Sequence, residues 1–360
     1  MTTPSTAGTV KVDLRNPGQL LAAIPHLLGF RPADSVLVIG HRGETGNRIG
    51  NVLRADLPNP DEDVALAVRL RTPLLYDDSV GVTIAIVGGG HDGENATGPP
   101  RRQLVDTITD AFAEANLCVM HALWVPEIQD GARWQCYEDS TCTGRLPDPN
   151  STVLAAVSAH AGLITYGSRE AMERQLDPVD PAVLARRSAL LDEIADSRPD
   201  GPGQYPDDCP APADPVECGR AVVRAALARA HRGDFEFCDR EVVELALALE
   251  RTEIRDACLA TALPPAGPRA VTAERLWLAL TRELPAPERA QAATLLGYSA
   301  YVRGEGALAG MAVARAREAD PGHVLAQLLA QALDHALPPE TLAKLGASTE
   351  TDPLWEPGGP

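Results

Sequence analysis

Two histidine-containing pairs, His41-Arg42 and His91-Asp92, stand just beyond two of the most apolar runs in the chain, SVLVI at 35–39 and VGVTIAIV at 80–87. Imidazole, guanidinium and carboxylate together can hold an anion or move a proton near neutral pH. If the two runs are parallel strands, both pairs leave the same edge of a sheet, where open α/β sheets take their ligands. His41, Arg42, His91 and Asp92 are therefore the candidate ligand-binding residues, and a small anionic ligand is the chemistry they suit. The second pair sits in a glycine-rich loop, Gly88-Gly89-Gly90-His91-Asp92-Gly93, between a strand and a helix, where backbone amides can cradle phosphate. Its glycines match neither GxGxxG nor a phosphate loop ending in Gly-Lys-Ser/Thr. A polar surface connection accounts for it without any ligand.

Cys136 and Cys142 are the other pair with chemical potential, and Glu138 and Asp139 stand between them. Tetrahedral zinc prefers closer pairs and about four ligands, and only strand pairing could add Cys118 or His121. No metal is assigned, a redox-labile pair is disfavoured because cytoplasmic thiols stay reduced, and a local structural role is expected. His26 falls beside the apolar face of a helix and reads as a core or boundary residue. Trp277, with Leu276 and Leu280, reads as core. Asp61-Glu62-Asp63 opens a helix, where the helix dipole favours acids. Asp207-Asp208 sits in a polar connection. The chain has no G-x-S-x-G, no H-E-x-x-H and no C-x-x-C, so no catalytic residue and no cofactor is assigned.

The elements that must position these residues begin at Asn16. Asn16, Pro17 and Gln19 make a helix start, with a proline where a missing amide costs nothing. Leu20, Leu21, Ile24, Leu27 and Leu28 recur at helical spacing. Pro25 should kink this helix, and Gly29 should end it. A turn at 31–34 leads into the strand at 35–39, apolar on both faces as in a sheet covered on both sides. Strands are also expected at 10–14, 48–57, 80–87, 117–125 and 132–137, with helices at 61–71, 101–116, 151–161, 168–176 and 181–196. Strands alternating with helices predict a layered α/β domain. The short spacing between 35–39 and 48–57 predicts an antiparallel hairpin, hence a mixed sheet. A second hairpin is expected through Gln129-Asp130-Gly131.

Residues 197–215 (SRPDGPGQYPDDCPAPADP) are dense in proline, glycine and aspartate and read as a linker. No strand is expected beyond them. Helices are expected at 217–230, 240–260, 273–284, 288–303, 306–319, 324–336 and 340–345. Leu296-Gly297, Gly304, Ala309, Ala316 and Pro321 fall at spacings like one tetratricopeptide helical hairpin, in which small residues let two helices approach. The organisation expected is an α/β domain at 1–196, a linker at 197–215, an all-helical, repeat-like domain at 216–346 and a flexible tail at 347–360.

The residues Leu27-Leu28-Gly29-Phe30, Pro32 and Ser35, then Trp134, Cys136, Cys142, Gly144 and Leu146-Pro147-Asp148-Pro149, and finally Gly167-Ser168-Arg169-Glu170, together resemble the signature of an actinobacterial family, domain of unknown function 4192. The resemblance covers roughly residues 10–176. The family pattern has adjacent cysteines where this chain has Cys142-Thr143, which weakens a metal reading further. The resemblance implies a bacterial cytoplasmic setting and brings no catalytic residues with it.

Composition narrows the partners. A chain of 360 residues, 44% hydrophobic, suffices for about two domains. A formal net charge of -18 disfavours sequence-independent nucleic-acid binding, which needs cations to displace counterions. It equally disfavours adsorption to anionic membranes. The first residues have neither a basic nor an apolar segment of a signal peptide, and seven cysteines in so long a chain fit reduced thiols. The expectation is a cytoplasmic binding or scaffold module without catalysis, with a protein or peptide partner on its helical half. The alternative is an enzyme or nucleotide or metabolite sensor working at the sheet edge near His41, Arg42, His91 and Asp92.

Overall fold

The computed structural model describes residues 16–44, 48–76, 79–90, 98–160, 162–196, 214–348 and 354–355. The chain forms two compact units, Met1–Met172 and Glu173–Pro360. The expected strand at 10–14, His91 and Asp92, and most of the expected linker lie outside the described residues.

In the first unit α1 (Pro17–Leu28) precedes β1 (Ser35–Arg42), β2 (Arg48–Asp56), α2 (Asp63–Leu75), β3 (Gly81–Val87), α3 (Arg102–Ala113), β4 (Cys118–Val125), β5 (Arg133–Cys136), β6 (Thr143–Arg145), α4 (Val153–His160) and α5 (Arg169–Glu173). The Asn16 side chain accepts the Gln19 amide at 3.2 Å. The helix runs on through Pro25 and ends on Gly29 at φ 78. The strands form one mixed sheet in the order β2-β1-β3-β4-β5-β6. β1 is antiparallel to both β2 and β3, whereas β3 and β4 are parallel. β2, β3 and β4 therefore point the same way, and α2 and α3 are the crossovers that make this possible. The two helices share one face of the sheet. Leu66, Leu70 and Leu74 of α2 and Leu104, Ile108 and Phe112 of α3 form one core with Val36, Val38, Ile84 and Ile86. By strand alternation Leu37, Ile39 and Val87 point to the opposite face, and all three are buried.

Several residues of the family-like signature have structural work here. Trp134 fills the space where a side chain at Gly18 or Gly144 would stand. Its Nε1 lies 3.1 Å from where a Cβ on Gly18 would be and 2.9 Å from where one on Gly144 would be. Asp148 caps the turn Pro149–Ser151 through the Asn150 amide at 2.9 Å. His26 is half-buried. Its Nε2 donates to the Pro149 carbonyl at 3.0 Å, which leaves Nδ1 to accept the Thr165 hydroxyl at 2.9 Å. It is the boundary histidine expected.

The second unit is helical throughout its described residues: α6 (Pro181–Asp196), α7 (Pro215–His231), α8 (Asp239–Leu249), α9 (Thr252–Leu259), α10 (Pro268–Glu283), α11 (Arg289–Arg303), α12 (Gly306–Ala319), α13 (Val324–Asp334) and α14 (Pro339–Ser348). The single helix expected at 240–260 is two, because Arg251 takes an extended conformation and restarts the chain as α9. α6, expected with the α/β half, lies in this second unit and packs on α8. The α11–α12 hairpin is closely packed, as its small residues imply. A Cβ at Gly297 would meet Val313 Cγ2 at 2.8 Å, and Gly304 ends α11 at φ 92. Trp277 is fully buried. Within the expected tail, Leu354 is buried and the Arg269 guanidinium stacks 5.4 Å from the Trp355 ring.

His323 starts α13. Its Nδ1 accepts the Ala326 amide at 3.2 Å, so Nε2 carries the proton and donates to Gln291 Oε1 at 2.9 Å. Burial, and then the charge of Arg255, push its pKa below the ordinary 6.5 against the pull of Asp320. Below pH 6.5 the unfolded chain therefore takes up a proton that the folded chain refuses, and stability falls as pH drops. The slope is about 1.4 kcal/mol per pH unit until the lower folded pKa is reached. His323→Asn keeps a capping acceptor and does not titrate. Urea unfolding at pH 7.5 and 5.5 should show a smaller acid loss in this variant than in the parent, and equal losses would contradict the assignment.

Candidate functional site

The antiparallel pairing of β1 with β3 puts His41-Arg42 and the described lead-in to His91-Asp92 at opposite ends of the strand pair. His41 pairs with Gly81 at the start of β3, whereas Ser35 pairs with Val87 at its end. His41 and Arg42 therefore close one end of the strand pair. Gly88–Gly90, the described lead-in to His91 and Asp92, leave from the other. The shared edge that parallel strands would have given does not arise. His41 is also buried, and its Nε2 is 2.8 Å from the Thr83 hydroxyl. It is a core histidine beside a bulge between Ile39 and His41, not a loop-tip ligand.

What the topology does assemble is the opposite end of the sheet. The carboxyl ends of β2, β3 and β4 meet there with the amino ends of α2 and α3, the arrangement in which open α/β sheets bind ligands. Three consecutive glycines, Gly88, Gly89 and Gly90, leave β3 at φ 79, 82 and 68. Gly88 is held on both sides, its amide on the Val125 carbonyl at 3.0 Å and its own carbonyl accepting from Trp124 Nε1 at 2.9 Å. Asp34, at φ 40, accepts the Gly89 amide at 3.0 Å on Oδ1 and the Leu57 amide at 2.9 Å on its backbone oxygen. It thereby ties the turn before β1 to the ends of both neighbouring strands. Arg101, just before α3, is left-handed too, at φ 60. Non-glycine residues held at positive φ cost of order 1–3 kcal/mol and cluster at functional sites.

The charges of this rim are arranged unevenly. α2 begins behind Asp61, Glu62 and Asp63, the usual pairing with a helix dipole. α3 begins with Arg101 and Arg102, has no acid in its first turn and no side-chain cap. Arg101 Nη2 bonds the Pro58 carbonyl and lies 3.8 Å from Asp63 Oδ1. Burial pushes the Asp63 carboxyl above its ordinary pKa, Arg101 pulls it back and Asp61 pushes it up again, the net being upward. Arg102, half exposed, donates to the Tyr137 carbonyl and lies over the Tyr137 ring at 5.7 Å. The Tyr137 hydroxyl in turn fixes the Pro100 carbonyl at 2.6 Å.

A second group of signature residues borders the same end. The backbone of Phe30 bridges Tyr166, the Arg31 amide bonds the Tyr166 carbonyl at 3.0 Å and the Tyr166 amide bonds the Gly29 carbonyl at 2.8 Å. Arg54 donates to the Ser35 hydroxyl at 3.0 Å, pairs with Asp56 at 2.6 Å and lies 5.9 Å from the Phe30 ring. Glu170 is held below the ordinary carboxylate pKa by its own backbone amide and the Ser168 hydroxyl, with smaller help from Arg169 and Arg54. The motifs at 27–35 and 167–170 thus converge, though more than a hundred residues separate them.

Sequence reasoning took Asp63 only as a helix-start acid and missed Asp34, Arg54, Arg101 and Arg102 as rim residues. The usable signals were the breaks at Pro58-Asn59-Pro60 and Pro99-Pro100, which mark helix starts at strand ends. Among the described residues no group of three or more His, Cys, Asp or Glu could hold a metal ion, and no helix is long and apolar enough to cross a membrane. No curated protein matches the chain, and no solved structure matches it. The model of the family described as Domain of unknown function (DUF4192) matches residues 17–340. That span runs past the resemblance legible around residues 10–176 and takes in the helices from α6 into α14. Strand-end rim and helical unit alike fall within one family match, and the chain belongs to the Domain of unknown function (DUF4192) family.

Proposed function

We propose that the protein is a binding module whose α/β unit takes a small anionic ligand at the carboxyl rim of its sheet, and that it acts in the bacterial cytoplasm. The observation that carries this reading is the amino end of α3. It opens with two arginines, lacks an acid in its first turn and has no side-chain cap, and left-handed glycines leave the adjacent β3 end. The first-turn amides and the dipole of a helix favour negative charge at such a place. Binding rather than catalysis fits the engaged state of three titratable groups of this unit. His41 is spent on Thr83, His26 on Pro149 and Thr165, and Asp63 on Arg101.

Titration with inorganic phosphate, pyrophosphate and nucleoside triphosphate at matched ionic strength is the test, read as thermal stabilisation. A ligand at a hundred times its Kd stabilises the folded state by about 2.7 kcal/mol. At least one of these anions should give a saturable shift, and Arg102→Ala should abolish or strongly weaken it. No saturable shift, or an undiminished shift in the variant, would refute the reading.

A second reading, a protein or peptide partner on the helical unit, is favoured by α13. Val324 and Leu328 stand one turn apart on that helix, 67% and 54% exposed. Paired apolar residues at this spacing are the anchors by which one helix grips another surface.

A further inference from the structure

The hairpin formed by β5 and β6 brings Cys136 and Cys142 face to face. Its register pairs Arg133 with Arg145, Trp134 with Gly144 and Gln135 with Thr143. The next pair in that series is Cys136 with Cys142, and the Cys136 amide donates to the Cys142 carbonyl at 2.9 Å. Directly opposed residues of a hydrogen-bonded antiparallel pair have Cα atoms about 5.5 Å apart. Disulfides span roughly 4.4–6.8 Å between Cα atoms, a range that includes the separation of such a pair.

Both thiols are free in the structure. Burial holds the Cys142 thiol above its ordinary pKa, with further contributions from the neighbouring Cys136 thiol, Asp139 and a hydrogen bond to the Cys136 side chain. Cys142 is the more exposed of the two and Cys136 is buried. The turn between them is already pinned. Asp139 accepts the Thr141 amide at 2.8 Å and its hydroxyl at 2.6 Å, and its carbonyl accepts the Cys142 amide at 3.0 Å.

We propose that Cys136 and Cys142 form a reversible disulfide site that exchanges with low-molecular-weight disulfides. The small fraction of Cys142 that is thiolate attacks one sulfur of the small disulfide. That S–S bond breaks, one small thiolate leaves and takes up a proton, and Cys142 carries a mixed disulfide. The Cys136 thiolate then attacks Cys142 Sγ and releases the second small thiol. Two protein thiols lose two electrons and two protons, and the small disulfide gains both. Cys142 is the entry point because it is reachable, and Cys136 resolves because it is opposed to it.

The full chain can be tested in mixtures of oxidised and reduced glutathione, quenched by alkylation and cut with trypsin. Cleavage after Arg133 and Arg145 yields one peptide, 134–145, holding both cysteines. In oxidising mixtures the wild-type peptide should be unalkylated and lighter by two hydrogens, and dithiothreitol should restore two alkylatable thiols. In Cys136→Ser the same peptide should instead accumulate glutathione on Cys142. The proposal is overturned if the wild-type peptide is doubly alkylated, or carries glutathione, in mixtures that already modify the exposed Cys118. It is likewise overturned if Cys142 stays unmodified in Cys136→Ser.

Discussion

Gly88→Ala should destabilise the α/β unit by about 3 kcal/mol, whereas Gly90→Ala, two residues on, should cost about 1 kcal/mol. Both residues are left-handed, at φ 79 and 68. An L-residue pays about 1–2 kcal/mol for that conformation, and the stiffer unfolded chain returns about 0.4–1 kcal/mol. The two positions differ in their surroundings. A Cβ on Gly88 would lie 2.5 Å from Asp34 Oδ1, 3.0 Å from its amide nitrogen and 3.2 Å from its Cα, whereas a Cβ on Gly90 meets nothing within 4 Å. The carboxylate can swing aside, but backbone cannot without moving the start of β1. Such overpacking costs typically about 1–3 kcal/mol.

Any such movement would also strip the Gly89 amide of its acceptor on Asp34 and disturb the Trp124 bond to the Gly88 carbonyl. Gly88→Ala should therefore lose anion binding as well as stability, and Gly90→Ala should keep most of both. Urea unfolding followed by hydrogen exchange in β1 and β3 separates the two variants. Equal losses at both positions would mean that the close approach of Asp34 does not hold the rim together.

Local patterns carried much of the fold into the sequence. Asn16, Pro17 and Gly29 mark both ends of α1, and the apolar runs at 35–39 and 80–87 mark two interior strands, β1 and β3. The hairpin of β1 with β2 followed from a short connection. The direction of β1 relative to β3 did not, because nothing local distinguishes a parallel from an antiparallel neighbour when α2 intervenes. That one unknown decided the site. With β1 reversed, His41 falls among buried side chains at one end, and the opposite end, where the anion site is proposed, is furnished by Asp34, Arg54 and Arg101 instead. Those three come from a turn, a strand end and a helix start far apart in the chain. β6 was missed because three residues containing one glycine give no period to read. The break between α8 and α9 was missed because its apolar spacing runs on through Glu250-Arg251, where Arg251 is extended. The membership of α6 was hidden by the proline-rich stretch that follows it, which looks like a boundary from sequence.

Arg187, on α6, is where that membership can be tested, since its replacement by alanine should cost the helical unit about 3 kcal/mol. Arg187 is buried and its Nε donates to Asp239 Oδ1 at 2.8 Å. Its Nη1 donates to the Glu283 backbone carbonyl at 2.6 Å and to the Glu283 carboxylate. One guanidinium thus ties α6 to the start of α8 and the end of α10. Breaking a buried pair costs about 3–5 kcal/mol because the remaining charge is stranded. The lower end applies here, since the Asp239 and Glu283 side chains are 34% and 32% exposed and water can reach them. Arg186 also pairs with Asp239, at 3.1 Å, but is 60% exposed, so Arg186→Ala should cost no more than about 1 kcal/mol. Arg187→Lys should not rescue, because an ammonium cannot span two partners as a planar fork does. Acid supplies an independent check. Burial pushes the Asp239 carboxyl up, but its bonds to Arg187 and Arg186 outweigh this and hold it below its ordinary 3.8. A depressed carboxyl contributes stability that is present above the unfolded pKa and lost as pH falls through the folded one. The gap between wild type and Arg187→Ala in urea unfolding should therefore hold at neutral pH and narrow below pH 3.8. A gap that is absent at neutral pH, or indifferent to acid, would show that α6 is not fastened to α8 and α10 through this residue.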